Sequence, residues 1–221
     1  SRRQRQMCIR DSAEPELYGV YKKDADGNYI TDEQGNKILD EEADYSGYYR
    51  DILWKNKAIT ELYYPGSVFK LITSAMGIDS GVATMNTTFT CSGAYGVAKE
   101  TYHCAGRKAH GLLNMAEALR KSCNIYYIQL GQRVGSQQFY NYFDAFGFTA
   151  RTGVDLPSET NFMQYYRADQ LGEVQLASSS FGQAMAITPL QMCTAIAATV
   201  NGGYLAVSYT HLRAHETDQY L

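Results

Sequence analysis

No run of apolar residues in this chain is long enough to span a bilayer. Charge of one sign is also lacking. Lys and Arg total 20 against 23 Asp and Glu, for a net charge of −3, so no polyanion-binding patch is implied and nucleic acid is not an expected partner. No low-complexity tract stands out, and the reading finds no internal repeat. Metal-ligand spacing is missing too. His211 and His215 are spaced i, i+4, but no acidic or Cys ligand with metal spacing accompanies them, so neither a metal nor a cofactor is assigned. Asp24-Ala25-Asp26 resembles the start of a calcium loop. Its glycine falls too early, and Gly35 stands where a bidentate Glu is needed. The 5 cysteines form no obvious framework. Cys8 lies near one end, Cys193 falls on an apolar helix, and Cys123 reads as a small packing residue. Cys91 and Cys104 flank a hairpin-like stretch with Gly93 and Gly96. Either an oxidising compartment joins them or they are two free thiols.

What is present fits one domain. The 221 residues are 45% hydrophobic, enough to bury a sizeable core. Asp26-Gly27-Asn28 and Gln34-Gly35-Asn36 predict tight turns between short strands across residues 18–39. An acidic, aromatic loop follows at 41–49. Ser67 opens a helix with Phe69, Leu71, Ile72 and Met76 on its apolar face, ending at Gly77 or Gly81. Asn114 and Glu117 form a capping-box pair for a helix that stops near Lys121. A further helix begins at Ile125 and closes at Gly135, after which Ser136 caps an aromatic helix. Thr188-Pro189-Leu190-Gln191 combines an N-cap, a first-turn proline and a reciprocal Gln. Paired tyrosines at 48–49, 63–64, 126–127 and 165–166 are assigned mainly to packing.

The chemistry centres on Ser67-Val68-Phe69-Lys70, directly behind Pro65-Gly66. Residues i and i+3 are neighbours on a helix, so the Lys70 amine can reach the Ser67 hydroxyl and take its proton. Ser122-Cys123-Asn124 supplies the S-x-N element that accompanies S-x-x-K in Ser/Lys acyl-transfer sites. Ser122 can relay a proton between Lys70 and a leaving amine, and the Asn124 amide can hold a substrate peptide group. The three hydroxyl and amine groups are expected within hydrogen-bonding reach. Asn124 is expected to face the same cleft with its amide unpaired or only partly paired.

Tyr64-Pro65-Gly66-Ser67-Val68-Phe69-Lys70 resembles the active-site helix of penicillin-binding proteins, the peptidoglycan transpeptidases. Matching segments follow in order: His110-Gly111, residues 118–124 through S-x-N, Phe146-Gly147-Phe148, and Thr152-Gly153-Val154-Asp155-Leu156-Pro157. Ser180-Phe181-Gly182-Gln183, Thr188-Pro189-Leu190-Gln191 and Asn201-Gly202-Gly203 complete the set. The style is that of the class B, monofunctional group, from about Trp54 to about Leu205. The resemblance implies an α/β fold of the penicillin-binding protein and β-lactamase type, of which mainly the helical part is present. It also implies catalytic roles for Ser67, Lys70 and Ser122, and substrate binding by Asn124. Stem peptides of peptidoglycan would be substrates, β-lactams would acylate the same serine, and cell-wall synthesis or division proteins would be partners. The parent protein would be membrane-anchored and act on the extracytoplasmic face.

One family element does not occur. K-T-G, which in the family lies on an edge strand and supplies an oxyanion donor and a carboxylate-binding Lys, is absent. Residues 1–12 and 207–221 resemble translated adaptor read-through, which makes residues 13–206 a partial transpeptidase domain between artefactual ends. A genuine basic arm and tail are the alternative. On these grounds the chain is expected to be inactive by itself. Two other functions compete. A β-lactam sensor shares S-x-x-K but resembles enzymes with an aliphatic residue in place of Asn124. A non-catalytic cell-wall scaffold would not need all four site residues intact.

Overall fold

Helices begin in this chain where a side chain accepts the free amides of the first turn. Asn114 Oδ1 accepts from the Glu117 amide at 2.9 Å, and the Glu117 carboxylate accepts from the Asn114 amide at 3.0 Å. This closes the expected capping box. Thr188 and Gln191 form the second reciprocal pair, with Pro189 in the first turn. One cap differs from expectation. Gly135 occupies the N-cap position of the aromatic helix, and Ser136 Oγ donates to the Leu171 carbonyl at 2.5 Å instead.

The computed structural model describes residues 21–38, 40 and 55–205. The expectations for residues 1–12, 41–49 and 207–221 lie outside the described residues. Two compact units are distinguished, residues 1–55 and 56–221. In the first, extended segments around Lys22, Ile30 and Ile38 pair side by side. Their turns correct the reading that no repeat exists. Asp24 Oδ1 accepts from the amides of Asp26 and Asn28, and eight residues on Asp32 Oδ1 accepts from those of Gln34 and Asn36. The repeated D-x-x-G-N was the signal. It is only one turn long, too short to register as a periodic architecture.

In the second unit the order is α1 (Lys57–Thr60), a 3₁₀ turn (Gly66–Phe69), α2 (Lys70–Asp79), β1 (Phe89–Cys91), β2 (Ala94–Val97), β3 (Glu100–His103), β4 (Gly111–Leu113), α3 (Met115–Arg120), α4 (Asn124–Val134), α5 (Ser136–Ala145), α6 (Glu173–Ser179) and α7 (Pro189–Val200). The antiparallel hairpin β2–β3 sits inside a second antiparallel pair, β1–β4. This is the hairpin expected between Cys91 and Cys104.

Helix α4 is central. It packs on α2, α6 and β1 and buries Ile125, Tyr126, Tyr127, Ile128, Leu130 and Val134. Gly77 lies inside α2 rather than ending it. A Cβ there would stand 2.8 Å from the Leu130 side chain, so the glycine permits the close helix crossing. Phe69, Ile72 and Met76 are buried as the spacing predicts, whereas Leu71 is exposed. Phe69 anchors one apolar cluster, packed at tilted ring angles among Phe139, Phe143 and Phe148. Tyr126 and Tyr127 are buried in the other, while Tyr63, Tyr64 and Tyr166 remain exposed. Among the described residues no helix is long and apolar enough to cross a membrane.

Candidate active site

Ser67 lies on the 3₁₀ turn, and the α-helix itself begins only at Lys70. This shifts the expected helix start by three residues. A 3₁₀ turn has three residues per turn, so i and i+3 eclipse and Lys70 stands directly over Ser67. The turn is held from outside. The Gly66 amide donates to the Gly182 carbonyl at 2.9 Å. A Cβ on Gly182 would fall 2.3 Å from the Gly66 carbonyl oxygen, so the glycine of S-F-G-Q is what permits this backbone crossing. Thr73 Oγ1 donates to the Ser180 carbonyl at 2.8 Å and joins the same segment to α2.

Ser122 occupies the corner between α3 and α4 in the left-handed region, with φ +50°. A non-glycine residue there carries strain of order 1–3 kcal/mol, a feature that clusters at functional sites. The corner turns the Ser122 side chain and carbonyl towards α2. Asn124 is the first residue of α4, and Cys123 is its cap through Sγ.

The structure brings Ser67, Lys70, Ser122 and Asn124 together. Lys70 Nζ lies 3.1 Å from Ser67 Oγ, 2.9 Å from Ser122 Oγ, 2.8 Å from the Ser122 carbonyl oxygen and 2.7 Å from Asn124 Oδ1. Ser122 Oγ donates to Ser67 Oγ at 2.9 Å. Two of the four oxygens around Lys70 are amide carbonyls and can only accept. A neutral amine places its two hydrogens on them, which leaves the nitrogen lone pair facing the two hydroxyls. Lys70 is fully buried, while Ser67 is exposed. Burial pushes the Lys70 ammonium down to about 8, against a smaller opposing pull from Cys104 and Cys123.

Asn124 faces the cleft with its amide partly paired, as expected. Its oxygen accepts from Lys70, and its Nδ2 donates to the His103 carbonyl at 3.0 Å. Only the second Nδ2 hydrogen remains for other use. The sequence reading also missed Tyr127. Its ring lies 5.8 Å from Lys70 Nζ, and its hydroxyl bonds Ser74 Oγ at 2.8 Å. Its position three residues after Asn124, on the same helix face, was the available signal. Nothing in the sequence pointed to the His103 carbonyl, because a backbone acceptor has no residue signature.

The model of the penicillin binding protein transpeptidase domain matches residues 20–217. Stage V sporulation protein D of Bacillus subtilis is 33% identical over 168 residues, covering 76% of this chain and 26% of that protein. The peptidoglycan D,D-transpeptidase MrdA of Acinetobacter baumannii is 30% identical over 170 residues, covering 72% of this chain and 25% of its own length. The chain thus spans about a quarter of these relatives. Among solved structures, the D,D-transpeptidase domain of a peptidoglycan glycosyltransferase from Eggerthella lenta aligns with TM-score 0.66 at 23% identity, covering 78% of this chain and 47% of that one. The transpeptidase domain of penicillin-binding protein 3 from Burkholderia pseudomallei aligns with TM-score 0.66 at 19% identity, covering 70% and 46%. At these identities the structures show the fold alone, which is the mixed α/β transpeptidase fold with its helices dominant here.

Proposed function

Because the chain belongs to the penicillin-binding protein transpeptidase family, we propose that its parent protein is a peptidoglycan D,D-transpeptidase working through an acyl-enzyme on Ser67. The single observation that carries this reading is the buried Lys70 amine, held between two obligate acceptors with its remaining face on Ser67 and Ser122. Ser67 Oγ attacks the carbonyl between the last two residues of a stem peptide, and Lys70 takes the hydroxyl proton. Ser122 passes its proton to the departing D-alanine amine as the C–N bond breaks and takes one from the Lys70 ammonium, which returns to the neutral amine. An amine of a second stem peptide then attacks the ester and forms the cross-link, its proton passing through Ser122 and Lys70 to Ser67 Oγ as the ester C–O bond breaks. Asn124 orients Lys70 and offers its second amide hydrogen to the substrate. β-Lactams acylate the same oxygen. The intact quartet favours this reading over a decayed scaffold, and Asn124 favours it over a sensor. Cell-wall synthesis and division proteins are the partners, and the parent is anchored with this domain on the extracytoplasmic face.

K-T-G does not occur in the 221 residues. One oxyanion donor is worth about 10²–10³ in rate. The 221 residues by themselves are therefore proposed to react poorly. Labelling with a fluorescent penicillin tests both statements. A version extended through a family K-T-G strand should label, and Ser67→Ala should abolish that label, while the 221-residue chain labels at least about a hundredfold more slowly. Labelling of the extended chain that survives Ser67→Ala would overturn the assignment of the nucleophile.

A further inference from the structure

Lys70 has no carboxylate among its hydrogen-bond partners. Its amine meets two hydroxyls, a backbone carbonyl and the Asn124 amide oxygen, and the residue is fully buried. In acyl transfer the Ser67 O–H bond breaks as Oγ bonds the carbonyl carbon, and the proton moves to Lys70 Nζ. A positive charge then stands in a site shielded from water. Oxygen acceptors surround it on one side. On another lies Tyr127, with its ring centroid 5.8 Å from Nζ.

We propose that Tyr127 is a positioning residue for this reaction, its ring face stabilising the Lys70 ammonium that forms when Ser67 loses its proton. The role in rate rests on the Ser67 acyl-enzyme reading, whereas the ring–ammonium contact does not. A cation within about 6 Å of a ring centroid is attracted by the ring quadrupole, and more strongly where both are desolvated. Lys70 and Tyr127 are each fully buried.

The ring is also held in place. Ser74 Oγ donates its one hydrogen to the Lys70 carbonyl at 2.8 Å, so towards the Tyr127 hydroxyl, also at 2.8 Å, it can only accept. Ser74 lies one turn after Lys70 on α2, and Tyr127 lies three residues after Asn124 on α4. The phenol therefore ties the two helices together at the level of the base. The Tyr126 ring packs edge-on against it, with centroids 5.4 Å apart. Burial pushes the Tyr127 phenol up to about 12, against a smaller pull from Ser74, so the ring stays neutral while Lys70 titrates.

The test reads Lys70 directly. In the full 221-residue chain, reduced and isotope-labelled, its side-chain signal is followed by NMR through pH and assigned by its loss in Lys70→Met. Tyr127→Phe keeps the ring and serves as the reference. Phenylalanines carrying successive fluorines at residue 127 keep nearly the same ring size but drain negative charge from its face. The Lys70 titration should fall stepwise along this series, by about 0.4–1.5 pH units in all. The thiols of Cys104 and Cys123, the other titratable groups acting on Lys70, are the same in every member. Tyr127→Leu removes the face and should also lower the titration. A ring that serves only to exclude water predicts the reverse, because water admitted beside the smaller leucine favours the ammonium. Circular dichroism checks the fold of Tyr127→Leu, and if it unfolds the volume-matched fluorinated series decides alone. In the K-T-G-extended chain, the acylation midpoint should move down with the titration, and the high-pH plateau should fall as the ammonium in the transition state loses support. A Lys70 titration that does not move across the fluorinated series, or that rises in a folded Tyr127→Leu, overturns the proposal. A plateau that does not fall overturns the role in rate. Failure of the extended chain to label, with the titration moving as stated, would sink the transpeptidase reading and support the ring–ammonium contact.

Discussion

Asn124 Oδ1 stands 2.7 Å from Lys70 Nζ, closer than the Ser67 hydroxyl at 3.1 Å. The lysine is thus held by the S-x-N element, 54 residues away in sequence, more tightly than by its neighbour on the turn. With the Ser122 carbonyl this engages two Nζ hydrogens and fixes where the third position points. Asn124 is held in turn by the His103 carbonyl, so the Lys70 amine is positioned through a chain of amides and not through an ion pair.

Acylation should therefore depend on pH through Lys70. Its buried ammonium is pushed down to about 8. The base is the neutral amine, so the rate rises as pH climbs through about 8. Below that it falls by about tenfold per unit. Asn124→Asp places a carboxylate against Nζ, favours the ammonium and should move the profile upward by about 1–3 units. The measurement is the acylation rate of the K-T-G-extended chain by a chromogenic β-lactam between about pH 6 and about pH 10. A flat profile, or a downward shift in Asn124→Asp, contradicts the role given to Lys70.

Two glycines with nearly the same positive φ should respond differently to alanine. Gly135 (φ +82°, ψ 156°) has nothing within 4 Å of where a Cβ would stand, so Gly135→Ala meets only the backbone cost of that positive-φ region, of order 1–3 kcal/mol. Gly182 (φ +83°) would put its Cβ 2.3 Å from the Gly66 carbonyl oxygen and 2.8 Å from Phe69 Cβ. Gly182→Ala must displace the Ser67 turn and should cost more, by about 1–3 kcal/mol beyond the first. Urea denaturation midpoints compare the two. Equal losses would show that the Gly66–Gly182 crossing does not constrain the turn.

Ser122 should trade stability for chemistry. Ser122→Ala and Ser122→Gly both remove the hydroxyl that bonds Lys70 and Ser67. Only glycine relaxes the φ of +50°. The glycine variant should be more stable than the alanine variant by about 1 kcal/mol. Both should lose penicillin labelling in the extended chain. Thermal melts and labelling of the pair provide the check, and an alanine variant at least as stable as the glycine one would mean that the corner is unstrained.

Much of the fold was legible because it is built from contacts within one turn of chain. Asn114 with Glu117 and Thr188 with Gln191 cap helices across three residues, and the capping side chains are themselves the signal. Ser136 misled for the same reason. It has the chemistry of a cap, but the Leu171 carbonyl, 35 residues away, claims its hydroxyl. Leu71 fitted the apolar face of α2 yet is exposed, because periodicity defines a stripe and packing decides how much of its edge is covered.

The sequence by itself determined that Ser67 and Lys70 meet as a pair, since three-residue spacing on a helical turn brings them together wherever that turn sits. It also determined the S-x-N element and, through collinear segments, the family. The tertiary structure decided the rest. Packing of α4 on α2 closes 55 residues of chain so that Ser122 meets Ser67, and the left-handed corner at Ser122 aims both of its oxygens at Lys70. The same closure lays the Tyr127 ring beside Lys70. Such groupings depend on long-range burial, which no local window of the sequence encodes.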